Sequence, residues 1–210
     1  MNKLLLAIVL QLVACTPAVN PTPTPQVITV YASPITQPWL LDAYQCAQKY
    51  QLILSNVNDP AQAEIVIRMG EPDTLTALAY QIGREDILIM AHSESPLQDL
   101  NLEQTRALFS SPAAQAQVWL FPPAEDIQQV FAREVMQGAA ITSRARLALS
   151  PQQMSDVLKT DKNAIGILPR YWKTETMREI FNLADVPVLI LTESKPQGAL
   201  KELLSCLQEK

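Results

Sequence analysis

Short runs of β-branched and aliphatic residues alternate along the chain with segments whose apolar positions recur every three or four residues. Val27-Ile28-Thr29-Val30-Tyr31 reads as a β-strand, because β-branched and aromatic side chains fill it and Ala32-Ser33-Pro34 closes it. From Pro38, which suits a first helical turn, Leu40, Tyr44 and Ala47 recur at helical spacing through Lys49-Tyr50. Leu52-Ile53-Leu54 and Ile65-Val66-Ile67 have the composition of strands buried on both faces, parted by the turn-like Asn58-Asp59-Pro60. A helical stretch is expected around Leu75 to Tyr80, followed by a core strand over Asp86 to Ala91.

The pattern restarts after Pro96. Leu102 to Phe109 is a short helix with Asn101 placed as its N-cap. Strands are expected over Gln117 to Phe121, Ala164 to Leu168 and Val186 to Leu191, and helices over Glu125 to Met136, Gln152 to Leu158 and Gly198 to Leu207. Strands that alternate with helices imply an α/β architecture with largely parallel sheets.

The first residues bear on compartment. Lys3 precedes an apolar run from Leu4 to Ala14 broken only by Gln11, the charged and hydrophobic regions of a secretory signal. The run falls short of the roughly 20 apolar residues a membrane-spanning helix needs. It ends in Leu12-Val13-Ala14-Cys15, which resembles the bacterial lipobox, whose cysteine receives diacylglycerol before cleavage. The resemblance implies a signal peptide over 1–14 and an extracytoplasmic protein held to the cell membrane by lipid on Cys15. Acyl chains on one cysteine meet the two-signal requirement for stable anchoring. Residues 15–26 follow as a lipidated linker. Pro17, Pro21, Pro23 and Pro25 with small polar neighbours favour extended polyproline II there, and the folded part begins near Val27.

Composition narrows the chemistry. The chain has 210 residues, 48% of them hydrophobic, enough for one ordinary domain or two small lobes with a buried core. With 16 basic against 21 acidic side chains and no Lys/Arg run, it lacks the clustered positive charge that phosphate-tracking needs, so nucleic acid is not an expected partner. One histidine and three scattered cysteines supply no familiar zinc spacing, and no metal site or cofactor is expected. The single His92 stands near no Gly-x-Ser-x-Gly, and there is no phosphate-cradling Gly loop and no His-Glu-x-x-His, so the chain is not read as an enzyme.

With Cys15 lipidated, Cys46 and Cys206 remain. Each lies on or beside an apolar helical stripe, which fits either a disulfide in an oxidising compartment or two separate buried thiols.

Three segments, taken in order, resemble the phosphate-binding-like branch of the class II periplasmic solute-binding proteins. Asn101-Leu102-Glu103-Gln104-Thr105-Arg106-Ala107-Leu108-Phe109-Ser110 is similar to the family's short helix after the first crossover. Asn163-Ala164-Ile165-Gly166-Ile167-Leu168-Pro169 is similar to its Gly-Ala-Ile-Gly-Tyr-Leu-Pro strand. Ser33-Pro34-Ile35-Thr36-Gln37-Pro38 stands where the family has a Ser/Thr-rich turn opening the first helix. The likeness covers essentially residues 27–210.

The resemblance implies a two-lobed α/β fold with two crossing hinge strands, Ile87 to Ser93 and Val186 to Thr192. Lobe one would be 27–92 plus 186–210 and lobe two 93–185, which also makes Cys46 and Cys206 neighbours. It implies a small polar or anionic solute held between helix N-termini in the cleft, and a monomer that serves an ABC-type transporter permease. Ser33, Thr36, Arg68, His92, Ser93, Asp126, Thr142 and Arg144 are the ligand-binding candidates. Trp119, Tyr171 and Trp172 could stack on a ligand or pack against the core.

The pattern departs from the family in two places. Where the family carries Ser-Gly-Thr in lobe two, this chain has Phe121-Pro122-Pro123-Ala124-Glu125-Asp126. The prolines remove N–H donors and the acids oppose an incoming anion, although acids in a first turn also answer the helix dipole or could meet a cationic group. The family's acceptor after the second lobe-one strand is replaced by Arg68-Met69-Gly70-Glu71, and both changes argue against phosphate. The alternative reading is a surface interaction module that keeps the fold without a small ligand. An open polar cleft would favour solute capture, and a cleft filled by Pro122, Pro123 and large side chains would favour the module.

Overall fold

The computed structural model describes residues 26–113 and 116–209. The segment expected to be a signal peptide, Cys15 and the expected linker up to Pro25 lie outside the described residues. In chain order the elements are β1 (Gln26–Ala32), α1 (Gln37–Lys49), β2 (Leu52–Asn56), β3 (Ile65–Met69), β4 (Leu78–His92), α2 (Leu102–Ser110), β5 (Gln117–Leu120), α3 (Asp126–Phe131), β6 (Arg146–Leu147), α4 (Pro151–Thr160), β7 (Ala164–Pro169), β8 (Met177–Thr192) and α5 (Gly198–Gln208). The helix expected over Glu125 to Met136 is α3 continued by a π turn at Ala132–Met136.

The strands hydrogen-bond in the order β2-β1-β3-β8-β4-β7-β5-β6. On one side β1 pairs in parallel with β2 and β3, and on the other β5 pairs in parallel with β6 and β7. Between them β4 and β8 run antiparallel to each other through both halves, β8 meeting β3 and β4 meeting β7. The result is a mixed sheet with two α/β lobes, rather than the largely parallel sheets the alternation suggests, and the two long strands make its hydrogen-bond order continuous. This is the two-lobed class II periplasmic-binding-protein-like fold. The β4/β8 register slips between Gln81 and Gly83, Ile87 and Leu88, and Ile89 and Met90. Such bulges bend and twist a strand pair where it passes from one lobe to the other.

Two expectations fail on these strands. The chain from Leu78 is strand, not helix, because Leu78, Ala79 and Tyr80 pair with Thr192, Leu191 and Ile190, and tertiary pairing overrides a short helical spacing. β8 starts nine residues before Val186, over the mixed stretch from Met177 to Asp185, where no continuous apolar run marked a strand. Nor are β2 and β3 buried on both faces: Ile53 is 47% exposed and Val66 half-buried. The crossing from β2 to β3 carries only the 3-10 turn Pro60–Gln62, too small to cover that face.

Leu40, Ala43, Cys46 and Ala47 of α1 and Leu203, Leu204, Cys206 and Leu207 of α5 are buried on the other face of the same lobe. Cys46 and Cys206 are joined by a disulfide that closes a sequence separation of 160 residues, with Cα atoms 5.9 Å apart. In the second lobe Phe109 and Phe131 meet as a tilted ring pair with centroids 4.7 Å apart, tying α2 to the end of α3. Asn101 caps α2 as expected, its side chain accepting from Gln104 N–H while Gln104 Oε1 accepts from Asn101 N–H, both at 2.9 Å.

Candidate functional site

The strand ends decide which side chains meet. β1 and β3 are parallel neighbours with Ala32 opposite Ile67, so the residues just beyond, Ser33 on one and Arg68 and Met69 on the other, emerge side by side. Ser33 is buried and opens the 3-10 turn Pro34–Thr36 that leads into α1. Thr36, fully buried, turns its hydroxyl back onto the carbonyls of Ser33 at 2.9 Å and Ile67 at 3.4 Å, so it braces the turn. The outward-facing donors are the Ser33 hydroxyl, the Met69 N–H and the Arg68 guanidinium.

Their partner comes from the other lobe. α3 starts at Asp126, just after β5 and Pro122-Pro123, and its carboxylate crosses to the cradle. Oδ2 accepts from Ser33 Oγ and from Met69 N–H, each at 3.1 Å, and Oδ1 lies 3.7 Å from Arg68 Nη2. Both charged side chains are nearly buried, 12% exposed for Arg68 and 13% for Asp126. Arg68 is held flat by donating from Nε to Gly70 O at 3.1 Å and from Nη2 to Gln129 Oε1 at 3.2 Å, so α3 contributes a second contact one turn on.

Close backbone approach permits this. Gly70 has φ +71°, and a Cβ there would lie 2.8 Å from Val130 Cγ2. Only glycine lets the end of β3 turn in the left-handed region and sit directly against α3. The cleft is therefore closed, but not by the predicted plug: Pro122 is half-buried, Pro123 is exposed, and the group that fills the cradle is a carboxylate. Arg133 adds a further bridge between lobes, 3.4 Å from Asp73 Oδ1. It shares a groove of about 520 Å³ beside Gly70 with Glu71, Asp73, Glu134 and Asp185, an acidic rim next to the cradle.

Burial sets the protonation chemistry. It lifts the Asp126 carboxyl above its ordinary value, against the pull of Arg68, the Met69 N–H and the Ser33 hydroxyl. Burial, and then the neighbouring Asp126, lifts Glu125 as well. The Tyr31 hydroxyl is raised by burial and by the field of Glu125 and Asp126. The pocket around Asp126 thus disfavours further negative charge.

Ser33, Thr36, Arg68 and Asp126 meet here, and the other candidates lie elsewhere. His92 and Ser93 stand at the far end of β4, where β4 has already passed β7, about 17 Å of strand beyond Ile87. His92 Nδ1 there accepts from Glu94 N–H at 3.0 Å. Thr142 and Arg144 lie by the start of β5: Thr142 N–H donates to Phe109 O at 2.9 Å, and Arg144 Nη1 to Pro112 O at 2.6 Å. Trp119, Tyr171 and Trp172 pack against the core, with Arg146 lying 5.7 Å from the Trp119 ring. The sequence reading missed Met69 and Gln129. A backbone N–H carries no residue signature, and Gln129 would have been found only by counting one turn on from Asp126.

Solved structures share this fold at low identity. The chain superposes on a protein from Clostridium perfringens assigned as a phosphate ABC transporter substrate-binding protein, with phosphate bound, at TM-score 0.75 and 12% identity, covering 87% of this chain and 93% of that one. An ABC-type phosphate transport receptor from Vibrio cholerae matches at TM-score 0.66 and 14% identity, covering 86% and 93%. So does the regulatory domain of MetR, a LysR family regulator from N. meningitidis, at TM-score 0.66 and 13% identity, covering 88% and 93%. No protein-family model and no curated protein sequence matches the chain.

Proposed function

We propose that this chain is a lipid-anchored, extracytoplasmic binding protein that holds a small polar or anionic solute between its lobes and delivers it to an ABC-type transporter in the membrane. The observation that carries this reading is the cradle itself: the Ser33 hydroxyl, the Met69 N–H and the Arg68 guanidinium converge from lobe one on a carboxylate presented by lobe two. Oriented donors at the junction of two lobes are the recognition chemistry of a solute receptor, and β4 and β8 provide the two strands about which such lobes open and close.

The fold alone is shared by transport receptors and by regulatory domains, so location rests on the amino terminus. A signal-like run ending in a lipobox-like Cys15, then a proline-rich spacer, suits a receptor tethered at the outer face of a membrane. Among the described residues no helix is long and apolar enough to cross a membrane. Phosphate is a poor ligand for this cleft, because Pro122 and Pro123 supply no N–H and Asp126 and Glu125 oppose a dianion. Catalysis is not part of the reading: the cleft joins a serine, an arginine and a carboxylate, with the only histidine far along β4.

Thermal unfolding of the purified chain against amino acids, organic acids and inorganic anions tests it. A true solute raises stability by about 2.7 kcal/mol at a hundredfold excess over its Kd. If no compound shifts the transition at high excess, the reading falls. A second reading, a surface module that retains the fold without a solute, is favoured by one observation: the cradle is already satisfied from within by Asp126. That module predicts the flat screen.

A further inference from the structure

We propose that the lobe-one cradle is a carboxylate-binding site for which Asp126 is the built-in occupant, so that an incoming solute enters by presenting its own carboxylate in place of Asp126. The inference rests on reading the interlobe cleft as the solute site, and it names the chemical class that the site takes.

The donor set argues for the class. Two neutral donors, Ser33 Oγ–H and Met69 N–H, meet one oxygen of Asp126, and a guanidinium faces the other. That is a match for a planar group with two oxygens and a single charge. A tetrahedral dianion presents more acceptor positions than these donors can fill. Arg68 has already committed Nε to Gly70 O and shares Nη2 with Gln129, and Thr36 is turned inward onto Ser33 O and Ile67 O. The facing loop offers prolines where further N–H donors would be needed.

The geometry also argues for displacement rather than addition. Asp126 already takes both neutral donors, Val130 is seated against Gly70, and Glu125 stands next in the chain. A carboxylate can enter only as Asp126 leaves, which separates α3 from β3 and opens the lobes. A tethered group competes at an effective concentration on the order of millimolar or higher, so weak free carboxylates leave the unaltered chain untouched. A natural solute must add contacts beyond its carboxylate to win.

The test removes the tethered group. Thermal unfolding is followed for the unaltered chain, for Asp126→Gly, and for Asp126→Gly combined with Arg68→Met, each titrated with formate, acetate, phosphate and sulfate against chloride at equal ionic strength. Asp126→Gly is expected to be stabilised by formate and acetate, with the unaltered chain needing about tenfold more for the same shift or showing none. Phosphate and sulfate are expected to do less than formate, and the Arg68→Met background to lose the effect. If Asp126→Gly does not fold unaided, formate but not chloride is expected to restore its native circular dichroism on refolding.

A response to no anion, in unfolding or refolding, overturns the proposal. So does a preference for phosphate over formate, or an equal response in the unaltered chain. The two readings fail separately. A solute found for the unaltered chain with no formate effect in Asp126→Gly sinks this inference alone. A formate effect with no solute in the wider screen sinks only the transport role.

Discussion

Asp126 is a charged side chain held where hydration is scarce, and its energetics follow from that. Burial raises its carboxyl from the ordinary 3.8, and burial with Asp126 beside it raises Glu125 from 4.5. Above the ordinary values the folded chain keeps protons that the unfolded chain has released. These two groups therefore stabilise the fold fully below about pH 4, and that contribution is lost as pH rises through their raised values. Asp126→Asn removes one such group and relieves the other. Urea unfolding from pH 4 to 7 should show stability falling less steeply in this variant than in the unaltered chain, and an unchanged slope would refute the assignment. The same burial means that opening the cleft returns hydration to Asp126, which lowers the cost of displacing it. At the opposing position, Gly70→Ala is expected to destabilise by about 1–3 kcal/mol, because φ +71° and the 2.8 Å approach to Val130 Cγ2 both penalise a Cβ. Chemical denaturation measures it, and a neutral result would mean that β3 and α3 are not in contact.

At the scale of elements, the two terminal helices of lobe one are tied covalently. Replacing Cys46 and Cys206 together by alanine is expected to cost about 2–5 kcal/mol, since the link closes a long loop in the unfolded chain. Loss of less than that, read by denaturant midpoint, would mean that α1 and α5 are held by packing alone. Asn101→Ala should cost about 1 kcal/mol by removing the capping box of α2. Local chemistry of this kind was legible: Asn101, Pro38 and the short apolar runs placed α2, α1, β1, β5 and β7 within a few residues. The long strands were not. Met177 to Asp185 mixes charged and apolar residues because β8 there lies beside only one strand, β4, and Leu75 to Tyr80 carries helical spacing that pairing with β8 overrides. The site was half legible for the same kind of reason. Hydroxyls and an arginine at strand ends can be marked from sequence, but which of them face one another depends on the β1/β3 register and on how β4 and β8 set the two lobes. Asp126 was marked as a candidate, and its first-turn position on α3 gave no sign that it reaches across to Ser33.

The whole molecule joins a widely used two-lobed fold to an anchor-like amino terminus. Structures sharing the fold at 12–14% identity include transport receptors and a regulator's domain, so the shared architecture leaves function to the residues in the cleft. If Cys15 carries lipid, Cys15→Ala should move the protein from the membrane to the soluble fraction of its native host, and a chain that stays with the membrane would contradict the tether. The claim on which site, ligand class and opening all depend is that Asp126 closes the cleft by accepting from the Met69 amide. Residue-resolved hydrogen exchange reads that bond directly. The Met69 N–H, whose acceptor is the Asp126 carboxylate, should exchange slowly in the unaltered chain and about tenfold or more faster in Asp126→Ala, with the Ile67 amide on the same strand unchanged. Equal Met69 exchange in the two proteins would contradict the account.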